Sequence, residues 1–239
     1  VKAYYEHAGI TIYHGDCREW LPFVRLDDRK VLITDPPYGI ELGTTARGHS
    51  DMEKATYDLF DDSLESWLRT VLPALKQYIA GTKRGAVFAG KHVTHLPEPA
   101  TIGGIFCPAA TGRNPWGFSN LIPVYFYGSQ PTITAGSKAT MIQSNDTAER
   151  NGHPCPKPYE WMSWLVQLAT ERGVDTVVDP FCGSGTTLLA AKNLGRMAVG
   201  WEISERYCEI AAKRLSQEVL PLEIAAKRLS QEVLQLEVA

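Results

Sequence analysis

The chain has 239 residues, of which 44% are hydrophobic and 21% charged, with a formal net charge of -3. That length suits one large domain, or a domain with a modest insert, around a real core. The acidic balance excludes a general basic coating for nucleic acid but leaves room for a local patch, and fits small-substrate enzymes as well. Five scattered cysteines exclude a disulfide framework, and neither they nor the six histidines show metal-ligand spacing. No apolar stretch reaches transmembrane length, and residues 1–8 hold no apolar leader run. The expectation is a soluble protein of a reducing compartment, with no metal and no membrane partner.

Residues 10–13 (ITIY) predict a short strand, followed by Gly15-Asp16; residues 17–29 start helical and become a charged turn. Residues 31–34 (VLIT) read as a buried strand that ends at Asp35 and is stopped by Pro36-Pro37. Residues 39–62 lack periodicity and predict a mobile loop. Residues 63–79 place Leu64, Trp67, Leu68, Val71, Leu72 and Leu75 at helical spacing, with Ser63 as a cap and Pro73 as a kink or division. Residues 85–89 predict another strand. Residues 90–150 turn rich in Gly, Pro, Thr and Asn, with apolar runs at 101–107 and 121–127 that predict two strands. A long connection around Thr111–Asn120 joins them, and an irregular tail runs to Asn151. Tyr159–Arg172 predicts a helix, Val174–Val178 a strand, Gly183–Asn193 a loop and helix, Met197–Trp201 a strand and Glu205–Leu220 a helix. Strand, glycine turn, helix, strand is the unit of a doubly wound α/β fold with a mostly parallel sheet.

The tail repeats itself. EIAAKRLSQEVL occurs at 209–220 and again at 223–234, with Pro221 between the copies to kink or end the first helix. The offset of 14 residues is close to four helical turns, so the second copy can present a similar face. An identical copy is more than core packing requires, and it is read as a recent duplication or an added segment on which function does not depend.

Two turns at strand ends carry chemistry: Asp35-Pro36-Pro37-Tyr38, and Asp179 to Thr187 (DPFCGSGTT). In a doubly wound sheet both open at the carboxyl edge of the strands, where ligands bind. In the second turn, glycines let the backbone approach a ligand, and the following helix offers N–H groups to an anionic end. Leu188 stands where a dinucleotide fingerprint has its third glycine, and the Gly-Lys-Ser/Thr of a phosphate loop is missing. A tight strand–helix turn remains the bland alternative. Glu202, about 20 residues after the glycines, stands where an acid can accept from ribose hydroxyls; a solvated helix-start acid is its bland counterpart.

The first turn suits a poor nucleophile, an aromatic NH2 whose lone pair is delocalised into the ring. Asp35 can accept one N–H and the Pro36 carbonyl the other, with the prolines holding that carbonyl in a fixed direction. Tyr38 can stack on the base. Such catalysis works by positioning and electrostatics, without a metal or a covalent cysteine. A proline-stopped strand with a core tyrosine would look the same in four residues.

Together these residues resemble the DNA amino-methyltransferases. Asp35-Pro36-Pro37-Tyr38 matches their catalytic motif and Asp179 to Thr187 their cofactor motif. The catalytic motif comes first, as in the beta-type permutation. Gly15-Asp16-Cys17, His153-Pro154-x-x-Lys157-Pro158 and Gly200 to Arg214, with Tyr207 at the usual aromatic position, also match; the resemblance spans about 9–89 and 151–220. It implies the fold of the S-adenosylmethionine-dependent methyltransferases and transfer of a methyl group to N6 of adenine in double-stranded DNA, since an Asp-first motif leans to adenine. N4 of cytosine stays open.

By that resemblance Asp35, Pro36, Pro37 and Tyr38 carry the transfer. Asp16 and Cys17 meet the adenosyl portion, Phe181 and Cys182 line its site, Gly183, Ser184, Gly185 and Thr186 surround the methionine end, and Glu202 takes the ribose. Lys157 reaches the cofactor carboxylate or covers the pocket, and Asp179 braces the loop or meets the amino group. The implied organisation is one methyltransferase domain over 1–220, with a short target-recognition insert near 90–150, and a C-terminal helical extension over 221–239. The implied setting is the cytoplasm of a prokaryotic cell, or of a host for a phage-encoded protein. A homodimer and a cognate restriction enzyme stand as further partners.

The insert is short and carries few cations: Lys91, Arg113 and Lys138, with Lys83 and Arg84 just before it. Asn114 to Phe118 is a candidate contact loop, in which Trp116 and Phe118 could equally be core. The 39–58 loop, with Arg47, His49 and Lys54, is a candidate to fill the gap left by an extruded base. RNA or a free nucleotide as substrate, and a non-catalytic DNA-binding protein of the same fold, are the competing readings; a nicotinamide dehydrogenase is disfavoured by Leu188.

Overall fold

The computed structural model describes residues 2–21, 27, 29–41, 60–90, 92–109, 111–131 and 138–217. Most of the expected 39–62 loop, the side chain of Arg113, Lys91 and the second copy of the tail repeat lie outside them. In chain order come β1 (Tyr5–His7), β2 (Ile10–His14), α1 (Cys17–Trp20), β3 (Lys30–Thr34) and α2 (Leu64–Ser66). A π turn (Trp67–Val71) leads into α3 (Leu72–Gly81), β4 (Arg84–Phe88), β5 (Thr101–Phe106), β6 (Gly112–Asn114), β7 (Gly117–Ser119), β8 (Leu121–Tyr127) and β9 (Met141–Gln143). The last third holds α4 (Tyr159–Ala169), β10 (Thr176–Asp179), α5 (Thr186–Asn193), β11 (Met197–Glu202) and α6 (Glu205–Ser216).

Among the described residues, nine strands form one sheet in the order β1-β2-β11-β10-β3-β4-β8-β5-β9. The central five, β2 to β4 in that order, run parallel, while β8 is antiparallel to β4 and β5 to β8. Side chains alternate across the sheet as a strand period of two demands. Val31, Ile33 and Val177 join the core beneath Leu165, Leu188 and Ala211 of α4, α5 and α6. Leu32, Val87 and Val178 face Leu75 and Tyr78 of α3. Both faces are therefore covered, and the expected doubly wound, mostly parallel sheet is what forms. Leu75 is fully buried; sequestering such a side chain contributes about 1.5–3 kcal/mol.

The crossovers locate the site. From β3 the chain proceeds to β4 on one side, and from β10 to β11 on the other. The direction of winding thus reverses between the neighbours β3 and β10, and the crevice outside their carboxyl ends is where this architecture binds ligands.

Several boundaries differ from expectation. Ser63 does cap its helix, its Oγ accepting from Ser66 N at 3.2 Å. The expected helix is divided next to Pro73, which stands in the first turn of α3: the π turn before it, with Leu72 N bonded to Trp67 O, widens the backbone where a proline ring would otherwise meet a carbonyl. The connection around Thr111–Asn120 is not open but a hairpin, β6 against β7. The tail to Asn151 contains β9, paired with β5. The helix predicted to Arg172 stops at Ala169, where Thr170 turns extended and donates its hydroxyl to Val166 O at 2.6 Å. The helix predicted to Leu220 is described to Ser216.

Candidate active site

Asp35 follows β3 directly, and Asp179 closes β10 next to it. Asp179 is buried and ties the two strands together: its Oδ1 accepts from the Thr34 hydroxyl at 2.7 Å and from Phe181 N at 3.1 Å. Burial pushes its carboxyl up to about 6, against the pull of these donors. Of the two roles open to Asp179, bracing the loop is the one its contacts describe.

The glycine turn is shaped by close packing. Gly183 has φ +51, and a Cβ there would fall 2.8 Å from Nε2 of His153, whose ring packs edge-on against Tyr207. Gly185 has φ +78, and its Cβ would fall 2.8 Å from the Cβ of Ala211 on α6. Both conformations are left-handed and favour glycine. Gly185 is also the N-cap of α5 and supplies no side-chain cap, and Thr186 and Thr187 of that first turn line the crevice. Leu188, in place of a third glycine, is fully buried in the core.

Glu202, at the end of β11, accepts from Gly183 N at 2.9 Å on one oxygen and from Ser204 N at 2.9 Å on the other, with Ile203 N a further backbone donor. It therefore pins the turn, and the carboxylate keeps lone-pair capacity for a hydroxyl. Burial raises its carboxyl to about 7. Asp16 caps α1 through Arg18 N at 2.9 Å and is ion-paired with the Arg18 side chain. Cys17 and Cys182 are buried, which pushes Cys17 up to about 12 and Cys182 well above the usual thiol value. As neutral thiols they are packing groups, in keeping with chemistry that needs no cysteine nucleophile.

A cavity of about 250 Å³ gathers Asp16, Cys17, Asp35, Pro37, Lys157, Asp179, Phe181, Cys182, Gly183, Ser184, Thr186 and Glu202 along its walls. Gly185 stands behind it under α6. Pro36 and Tyr38 line a smaller neighbouring hollow with Phe88 and Gly90, and Pro37 borders both. The amine-holding motif thus spans two adjoining spaces. Lys157 lines the cavity, with its ammonium ion-paired with Oδ2 of Asp35 and 5.5 Å from the ring centres of Tyr38 and Phe88. The Tyr38 hydroxyl donates to Oδ1 of the same carboxylate.

Four supports are new. Trp67 Nε1 donates to Pro37 O at 2.7 Å, and Asp62 accepts from Gly39 N at 2.7 Å, so the helix after the long loop fixes the Asp35–Tyr38 turn. Arg214 of α6 donates to Ser184 O at 2.6 Å and to Thr186 Oγ1 at 3.1 Å, and Asn151 donates to Ser184 Oγ at 2.9 Å. These pairs are separated by 23 to 33 residues, beyond any local pattern; Arg214 alone stood inside a recognisable motif.

A family model described as DNA methylase, of the N6/N4 type, matches residues 109–213, a span that includes the glycine turn. The type II methyltransferase M2.DpnII of Streptococcus pneumoniae is 23% identical over 91% of this chain and 93% of its own length. Over residues 109–213 the chain is similar to the N6/N4 DNA methylases. Another relative, the type II methyltransferase M.HindIII of Haemophilus influenzae, is 45% identical over a shorter stretch, 34% of this chain and 26% of that protein. Among solved structures, M1.HpyAVI in complex with SAM aligns at TM-score 0.63 and 20% identity, covering 87% of this chain and 100% of that one. The cytosine-N4-specific PvuII DNA methyltransferase aligns at TM-score 0.62 and 16% identity, covering 93% of each. The fold is that of the S-adenosylmethionine-dependent methyltransferases. The cavity suits such a cofactor on its own terms: acceptors at Asp16 and Glu202, the Phe181 ring on its wall, and the uncapped start of α5 for a carboxylate. No helix among the described residues is long and apolar enough to cross a membrane.

Proposed function

We propose that this protein is a site-specific DNA methyltransferase that methylates N6 of adenine, with S-adenosylmethionine as the donor. The observation that carries the reading is the meeting of Asp35 and the Gly183 turn at the reversal point between β3 and β10, on the walls of one cavity. Bound there, the cofactor supplies a methyl group on a sulfonium that leaves as the neutral thioether of S-adenosylhomocysteine. Glu202 and Asp16 hold the adenosyl end through its hydroxyls and base, and the start of α5 holds the carboxylate. Asp35 and the Pro36 carbonyl accept the two N–H bonds of the target amine, which localises its lone pair toward the methyl carbon. As the N–C bond forms, the proton leaves the amine along the hydrogen bond to Asp35 and passes to solvent. Tyr38, in the adjoining hollow, stacks on the extruded base. The 39–58 loop stands as a candidate to fill the place the base leaves.

The Asp-first motif supports adenine. The relatives' type II names support a place beside a cognate restriction nuclease, and a recognition insert confined to 90–150 supports a homodimer that shares one duplex. A test is to methylate a sequence-diverse duplex library and locate modified bases at single-nucleotide resolution. N6-methyladenine within one recognition sequence is the expected product. N4-methylcytosine would overturn the adenine assignment while leaving the amine chemistry. Transfer to RNA or nucleosides but not to duplex DNA would overturn the polymer.

A further inference from the structure

Lys157 lies in the segment before α4 and reaches across to the end of β3. Its side chain is 10% exposed, and among the described residues its ammonium meets Oδ2 of Asp35, in an ion pair, and Sγ of Cys155 at 3.8 Å. Asp35 accordingly has both oxygens engaged, Oδ2 by Lys157 and Oδ1 by the Tyr38 hydroxyl. An incoming amine must share an oxygen with one of these donors or replace it.

The physical costs of the two exchanges differ. Replacing the hydroxyl trades one neutral hydrogen bond for another, and a tyrosine hydroxyl can turn to water. Replacing the ammonium would strand a buried charge without its counterion, which is strongly unfavourable. Burial by itself disfavours the charge on Lys157, but the Asp35 carboxylate outweighs that and leaves its pKa raised. The ammonium therefore stays, and Oδ1 is the oxygen that becomes available. The torsion that turns a carboxylate about its stem is broad, so a donor held on one oxygen also fixes where the other points.

Resting on the methyltransferase reading above, we propose that Lys157 is a positioning residue for Asp35 and not a ligand of the cofactor: it holds Oδ2 so that Oδ1, guarded by Tyr38 before the base arrives, receives the target amine. The aim of that oxygen decides the alignment of the amine, so losing the anchor acts on the rate of transfer and leaves cofactor binding alone.

The test compares wild type, Lys157→Met, Asp35→Asn and the double variant, with cofactor affinity from calorimetry and kcat from single-turnover methylation of duplex DNA. Lys157→Met is expected to keep cofactor Kd within about twofold and to lower kcat by roughly 100-fold, the scale of a small misplacement of a reacting group. In the Asp35→Asn background the same substitution is expected to change kcat less than about threefold, since the residue it acts through is already altered. Two losses that multiply would overturn the proposal, and so would a tenfold loss of cofactor affinity with kcat retained at saturation. Should Lys157→Met fail to fold, Lys157→Gln in the Asp35→Asn background, where no charge is left unpaired, gives the same comparison against Asp35→Asn alone. A wild-type protein that binds cofactor but methylates no DNA would count against the function proposed above; the calorimetric arm would still decide whether Lys157 serves the cofactor.

Discussion

Replacing Gly90 by alanine should slow methyl transfer while leaving the cofactor in place. Gly90 follows β4 and lies against the ring of Tyr38. An added Cβ would fall 2.3 Å from Cδ1, 2.6 Å from Cγ and 3.0 Å from Cβ of that tyrosine. Carbon atoms in contact sit at about 3.5–4.0 Å, so the ring must retreat by about 1 Å. The atoms struck are at the root of the side chain, where a rotation of its far end gives no relief, and Phe88 and Trp67 also wall the hollow. A shift of that size in a group that orients the substrate costs roughly 100-fold in rate. Overpacking costs a further ~1–3 kcal/mol of stability, which lowers Tm by about 2–4 °C per kcal/mol in a chain of this size. Single-turnover transfer to duplex DNA reads the first effect, a thermal melt the second, and calorimetry the cofactor affinity, which should stay within about twofold because Gly90 does not border the larger cavity. A Gly90→Ala protein with wild-type kcat would refute the role given to Tyr38.

Three other substitutions test separate parts of the site. Gly183→Ala forces a left-handed φ on alanine at about 1 kcal/mol and drives a Cβ into the His153 ring, so cofactor affinity should fall at least about tenfold; adding His153→Ala should recover the steric part only, which calorimetry on the pair resolves. Burial holds the Glu202 carboxyl near about 7, and hydroxyl donors favour its ionised form, so cofactor affinity should drop as pH falls from 8 to 6, by up to about tenfold, and Glu202→Gln should flatten that profile. The same upward shift means the folded apoprotein binds more protons than the unfolded chain, so this group's contribution destabilises the fold as pH rises from about 4.5 toward 7; buried His153, lowered to about 4, works in the opposite sense below about 6.5. Trp116 is 100% exposed and Phe118 65% exposed on the β6–β7 hairpin, which springs from the same sheet edge as Asp35; Trp116→Ala should weaken DNA binding about fivefold or more, as lost base stacking does, with cofactor affinity unchanged in the same calorimetric assay.

What could be read from the chain follows from the range of the signals. The 31–34 run was legible because strands buried on both faces are near-continuously apolar; in 174–178 only Val177 and Val178 carry that signal, and the strand starts at Thr176. The two motif turns were legible because proline and glycine leave their mark on the residues that bear them. β1, β6, β7 and β9 escaped because three residues are too few to show alternation. Trp116 and Phe118 could not be placed in the core or on the surface from a hairpin so short; both are exposed. The supports of the site escaped for another reason. Trp67 on Pro37, Thr34 on Asp179 and Lys157 on Asp35 join segments 30, 145 and 122 residues apart, and only the sheet order brings them together. Lys157 shows the limit most plainly: its motif marked it as part of the site, and only its contact with Asp35 says which part.

The central claim is that Asp35 serves the target amine and not the cofactor. The direct measurement pairs cofactor titration with base-resolved methylation of duplex DNA for wild type and Asp35→Ala. The account predicts N6-methyladenine from the wild type, and from Asp35→Ala a cofactor affinity within a few-fold of wild type with no methyl transfer. Methylation that survives in Asp35→Ala would contradict it.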